Sequence, residues 1–147
     1  MDRKQAMNID SIENGIVLDH ITANRGEIIY RFLHLDELNC TVAMIRNVKS
    51  EKMGRKDLIK IADDISIDLD ALGYIDPGTT VNIIKDGKLV AKRKLDLPEL
   101  LHDVIRCTNP RCITSTEQEL THVFRLYNKP GREYRCIYCE QKKEGTF

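Results

Sequence analysis

Four of the five cysteines in this 147-residue chain fall into two close pairs. Cys107 and Cys112 flank four residues, Cys136 and Cys139 flank two, and 23 residues separate the pairs. Two such knuckles can converge on one tetrahedral ion. Four thiolates would fill the coordination sphere of Zn2+ and leave no position for water, so the expected centre is one structural zinc and not a catalytic metal. A segment of about 45 residues is also too small to depend on a hydrophobic core, and a metal staple meets that need. The same cysteines could serve a rubredoxin-type iron centre, a redox dithiol or four buried thiols. An odd cysteine total argues against a disulfide framework.

The elements around the pairs suit a small β domain. Thr121-His-Val-Phe-Arg-Leu-Tyr127 and Arg132-Glu-Tyr-Arg135 alternate as strands, with Lys129-Pro-Gly131 as the turn. Val123 is expected to cover a small core, and His122 reads as an ordinary strand residue because four thiolates already satisfy a metal. Leu97, Leu100, Leu101, Val104 and Ile105 lead into the first pair from a domain boundary near residues 95–101. Cys40, in the apolar run Cys40-Thr-Val-Ala-Met-Ile45, reads as a buried structural thiol.

Upstream, Ile16-Val-Leu-Asp19 has strand composition, and residues 24–35 place Ile28, Ile29, Phe32 and Leu33 at helical spacing. Residues 36–39 read as a turn and residues 41–45 as a strand. Leu58, Ile59, Ile61, Ala62 and Ile65 fit either a helix face or a strand running from Leu58 to Ile61. Residues 68–72 suit a short helix, with Asp68 available to cap its start and Gly73 near its end. Asp86-Gly87 between two β-rich runs is the clearest hairpin signal. If the ambiguous stretch is a strand, the order is the βαββαβ of a ferredoxin-like sheet with one strand added. The fold class is thus α+β, with a ferredoxin-like N-terminal domain over residues 1–97 and a small all-β zinc-binding domain over 98–147.

Composition narrows the function. Lysine plus arginine and aspartate plus glutamate each total 23, and this balance argues against binding nucleic acid mainly through phosphates. No apolar run approaches the roughly 18 residues that span a bilayer, and the charged start Met1-Asp-Arg-Lys4 lacks the apolar stretch of a secretion signal. The expected compartment is the cytoplasm. Lys56, Lys60, Lys85 and Lys92 recur along the first domain, where they could neutralise phosphates or stand as solvated strand charges. There is no Walker loop, no GxGxxG and no nucleophile–base pair. A nucleic-acid-binding zinc ribbon, using Lys129, Arg132 and Arg135, is the rival reading, although aromatic residues make up only 5% of the chain.

Gly15-Ile-Val-Leu-Asp-His-Ile21, Met53-Gly-Arg-Lys-Asp-Leu-Ile-Lys-Ile61, Thr80-Val-Asn82 and the tail ending in Cys136-Ile-Tyr-Cys-Glu140 together resemble the regulatory chains of aspartate carbamoyltransferase. The similarity runs through nearly the whole chain in order and spacing. It implies a non-catalytic allosteric subunit in pyrimidine biosynthesis, binding CTP and ATP at one site, with UTP as a further candidate. It also implies homodimers that bridge catalytic trimers, and a strand over residues 57–62. Carried over, Ile12, Val17, Asp19, His20, Lys60, Asn82, Ile84 and Lys92 line the nucleotide pocket. In that reading Lys60 and Lys92 meet phosphates, Asn82 and His20 contact sugar or phosphate, and the backbone around Ile12 reads the base. Asn109, Tyr138 and Glu140 match residues facing the catalytic chain. Departures from the enteric form are Asp10 for glutamate, Gly87 for tyrosine and Leu89 for valine, with Arg111 and Gln141 also differing.

Overall fold

A computed structural model of the chain describes residues 12–143. The chain divides into two compact units between Asp96 and Leu97. In the first, β1 (Gly15–Thr22), α1 (Gly26–Phe32), β2 (Val42–Ser50), β3 (Gly54–Ile61), α2 (Leu69–Ile75), β4 (Thr80–Lys85) and β5 (Lys88–Lys94) follow in order. The strands form one antiparallel sheet ordered β2-β3-β1-β4-β5. Because β3 separates β1 from β2, the first crossover is a split βαβ, and β4 on the far side of β1 completes the ferredoxin-like arrangement. β5 extends it by one strand.

Strand parity decides which face the helices cover. Ile16 and Leu18 of β1, Ile59 and Ile61 of β3 and Val81 of β4 point into one core with Ile29 of α1 and with Leu72 and Ile75 of α2. The alternate residues of the same strands face the other way. The carboxylate of Asp57 is fully buried and accepts the backbone N–H groups of Asn24, Gly26 and Asn47 at 2.9, 3.0 and 2.8 Å. It thereby pins the start of α1 and the bulge in β2. Gly26 is required there, since a Cβ would lie 2.9 Å from Asp57 Oδ2. Asp76 does the same at the other loop, accepting the Thr22 N–H at 2.7 Å and its hydroxyl at 2.8 Å.

Several boundaries differ from those read in the sequence. The Leu58–Ile61 ambiguity resolves as strand. β1 does not end at Asp19-His20 but passes through a bulge to Thr22, with His20 at φ 57°. β2 continues past Ile45 through a second bulge, where Asn47 has φ 60°. The first helix is shorter than residues 24–35, because His34 turns left-handed at φ 54° and a 3-10 turn, Leu35–Glu37, follows. Asp68 caps α2 as expected, accepting the Ala71 N–H at 3.1 Å, but the helix runs past Gly73 to Ile75. Asp86 and Gly87 take φ 52° and 76° between the paired residues Lys85 and Lys88, a two-residue hairpin turn. Cys40 is half-buried against the core, not enclosed by it, since it sits in the loop before β2.

The second unit is a three-stranded antiparallel sheet, β6 (Leu100–His102), β7 (Val123–Asn128) and β8 (Glu133–Cys136), in that order. Leu101, Ile105, Val123, Phe124 and Tyr134 are its buried apolar side chains, beside Cys112 and Cys136. The Tyr134 hydroxyl donates to the Pro98 carbonyl at 2.6 Å, tying β8 to the segment before β6. Among the described residues no helix is long and apolar enough to cross a membrane.

Candidate functional site

The two cysteine pairs meet. All four sulfur atoms lie within 4.8 Å of one another. The Cys107–Cys139 and Cys112–Cys136 separations are 3.6 and 3.8 Å, and each joins one cysteine of the first pair to one of the second. A tetrahedral zinc with ligands at about 2.3 Å requires sulfur–sulfur edges of about 3.8 Å, so the donor set and its size both suit that ion. The thiols would have to ionise to hold it. Burial pushes Cys107 up to about 12, against the N–H of Asn109 on its sulfur, and burial likewise raises Cys136. Cys112 also feels burial, but the Thr114 hydroxyl, 3.1 Å from its sulfur, and Thr114 N–H outweigh this and bring it down to about 7. A divalent cation removes the cost of gathering four anions, and a closed four-thiolate shell leaves no position for substrate.

The knuckles also hold the residues expected to face a partner. Asn109 gives its N–H to Cys107 Sγ, Tyr138 gives its N–H to Cys136 Sγ, and Glu140 N–H donates to the Cys136 carbonyl at 2.8 Å. Tyr138 is 43% exposed, next to Ile137 at 43%, and Ile113 of the first knuckle is 51% exposed. His122 departs from its expected role. It lies outside β7, is buried, and its Nδ1 accepts the Cys107 N–H at 3.1 Å. The basic cluster of the rival reading is partly tied up: Arg135 pairs with Glu133 at 2.7 Å and stacks over Tyr127 at 4.0 Å.

On the first unit, register aligns the carried-over residues. Lys60 pairs with Val17, Val17 with Asn82, and Asn82 with Lys92, so all four stand in one lateral row across β3, β1, β4 and β5. They belong to the face the helices leave uncovered. The next row holds Asp19, Thr80 and Lys94, which are paired in turn. On the opposite side Ile84 pairs with both Gly15 and Leu89, and Ile12 Cγ2 lies 3.0 Å from where a Cβ on Gly15 would stand. The Lys56 ammonium meets Asp19 at 2.9 Å, and His20 Nδ1 lies 3.2 Å from the buried hydroxyl of Thr80. Burial works against ionising Asp19, yet the bonds from Lys56 and from His20 N–H hold its carboxyl below the ordinary range. Thr80 and Lys94 thus join a group to which sequence reasoning did not assign them, while Lys56, one of the recurring lysines noted in the sequence, pairs with Asp19. The i, i+2 spacing of Thr80 and Asn82 was the available signal.

The family model described as aspartate carbamoyltransferase regulatory chain, allosteric domain, matches residues 7–96, and the one for the metal binding domain of the same chain matches 99–146. This chain belongs to that family. The aspartate carbamoyltransferase regulatory chain of Clostridium tetani is 50% identical over 136 residues, spanning 92% of this chain and 94% of that one. That of Clostridium botulinum is 45% identical over 139 residues, 95% of each, and that of Bifidobacterium longum 40% over 136 residues, 92% and 98%. As a member of the regulatory-chain family it is a non-catalytic subunit, in keeping with the closed thiolate shell. The cysteine cluster lies within the metal binding domain, where it suits one structural zinc.

Proposed function

We propose that this chain regulates an aspartate carbamoyltransferase. Residues 1–97 take up CTP or ATP, with UTP as a third effector, and residues 98–147 dock on the catalytic chain. Regulatory homodimers, working in the cytoplasm, then bridge catalytic trimers. The observation that carries the reading is the lateral row Lys60, Val17, Asn82 and Lys92 on the uncovered sheet face. It offers two ammonium groups for phosphates and an amide between them, and the neighbouring position along the strands, at Ile84 and Ile12, is apolar and suits a base. Lysines suit phosphate as compact point charges that need no fixed approach. Asp19 and His20 border the row, and Asn109, Tyr138 and Glu140 form part of the docking face.

An effector can move the quaternary equilibrium only by binding its two forms with different free energies; a tenfold preference corresponds to about 1.4 kcal/mol. The zinc centre serves this by fixing the docking residues, whose main-chain N–H groups it holds through Cys107 and Cys136. The decisive experiment mixes the chain with the catalytic trimer of its own organism and assays carbamoylation of aspartate with CTP, ATP and UTP. Formation of a complex whose rate responds to at least one nucleotide is expected. A complex that assembles but ignores all three would leave the architecture and defeat the regulatory role.

A further inference from the structure

The two knuckles are held by different means. The second belongs to the sheet: Cys136 is the last residue of β8, paired with Phe124, and Ile137 N–H donates to the Val123 carbonyl at 3.0 Å. Cys136 N–H donates to the Gln141 carbonyl at 3.0 Å and its own carbonyl accepts from Glu140. Residues 103–112 belong to no strand or helix. There the amide of Cys107 donates to a side chain, the Nδ1 of His122, at 3.1 Å. A backbone N–H must find an acceptor somewhere, and here the imidazole stands where a neighbouring strand would supply a carbonyl.

The imidazole is itself fixed at its root. His122 N–H donates to Asp103 Oδ1 at 2.8 Å, and the His122 carbonyl accepts from Asp103 N–H at 2.7 Å. Asp103 sits at φ 56°, four residues before Cys107, so the chain doubles back on the residue that receives it. Accepting at Nδ1 places the ring proton on Nε2. The residue is 6% exposed, which leaves water little access to replace the ring.

We infer that His122 is the positioning residue of the first metal knuckle: it accepts the Cys107 amide and thereby aims that sulfur at the ion without ligating it. The inference rests on the metal reading of the four cysteines. A native chain that carried no zinc would defeat that reading, while the outcomes below concern His122 alone. The test uses the full zinc-loaded chain in reducing buffer. His122→Leu keeps an apolar side chain in place and removes the acceptor. His122→Asn returns an acceptor oxygen near the position of Nδ1. Zinc release into an excess of a chromogenic chelator is followed in time, and the cobalt-substituted chain is examined by its thiolate charge-transfer and d–d absorption. Loss of supporting hydrogen bonds around a metal weakens it by roughly 10- to 100-fold. His122→Leu is therefore expected to release zinc about tenfold faster with a shifted cobalt spectrum, and His122→Asn to return both close to native. Release at the native rate from His122→Leu overturns the inference. So does release from His122→Asn as fast as from His122→Leu, because ring volume and not hydrogen-bond acceptance would then matter. Should His122→Leu yield no folded chain, His122→Asn alone decides: native retention and spectrum support the inference, fast release overturns it.

Discussion

Stripping the metal at pH 7 under reducing conditions should unfold the second unit and leave the first folded. A structural zinc supplies an apparent free energy of about 10–16 kcal/mol in small zinc-dependent domains. A unit of roughly 50 residues holds only about 3–8 kcal/mol of net stability at the usual yield per residue. The loss exceeds what remains, since Leu101, Ile105, Val123, Phe124 and Tyr134 are a thin apolar core. The first unit has no share in the metal and keeps the cluster built on Ile16, Leu18, Ile59, Ile61 and Leu72. Stripping should also come more easily as pH falls, because thiolates released from the ion must take up protons. The assay is the amide spectrum of the isotope-labelled chain before and after chelation. Signals from β6 to β8 should collapse to unfolded positions, those of β1 to β5 should persist, and one equivalent of zinc should restore the rest. In the assembled complex the same treatment should free the catalytic trimers, as seen by sedimentation. Dispersed Phe124 and Tyr134 amides in metal-free protein would refute the reasoning, because the sheet would then be self-sufficient.

Lys60→Met should weaken ATP or CTP binding by roughly 10- to 100-fold, the worth of one charge-assisted hydrogen bond at about 1.5–3 kcal/mol. Calorimetric titration of the isolated chain measures it, and unchanged affinity would remove the phosphates from this row. Lys56→Met should raise the titration midpoint of Asp19, read from its side-chain carboxyl carbon by NMR. A carboxylate held below its ordinary value adds stability that is complete above that value and is lost as pH falls through the depressed midpoint, so the native chain should keep the Asp19–Lys56 contact into acid that protonates ordinary carboxylates. An unmoved midpoint in Lys56→Met would assign the shift to His20 instead.

The legible parts of this chain are those written in short stretches. Two cysteine pairs, an Asp-Gly turn and a capping Asp68 each act within a few residues, and each stands where local chemistry put it. Leu58, Ile59 and Ile61 fit a helix face as well as a strand; pairing with β1 and β2, a long-range matter, decided it. β1 and β2, which outran their expected ends, pass through bulges, where left-handed His20 and Asn47 interrupt the alternation of side chains. His122 gave no local signal at all. Its partner lies 15 residues away, and nothing in the sequence couples an imidazole to the amide of Cys107.

The resemblance to regulatory chains of aspartate carbamoyltransferase implies that CTP inhibits and ATP activates from one site, and the proposed pocket constrains how such opposite effects would arise. CTP and ATP carry the same triphosphate, so in the proposed pocket Lys60 and Lys92 would hold both alike and supply affinity without discrimination, as point charges do. Uniform binding of two quaternary forms shifts neither, however tight it is. In that pocket the difference between an inhibitor and an activator would therefore enter beside the row, where the ligands differ in size, near Ile12, Ile84 and Leu89. Leu89 is 55% exposed and lies on β5, the last strand of the sheet, next to the Asp86-Gly87 turn. A purine is larger than a pyrimidine, and β5, paired within this sheet only with β4, is less constrained there than β1 or β3, which are paired on both sides.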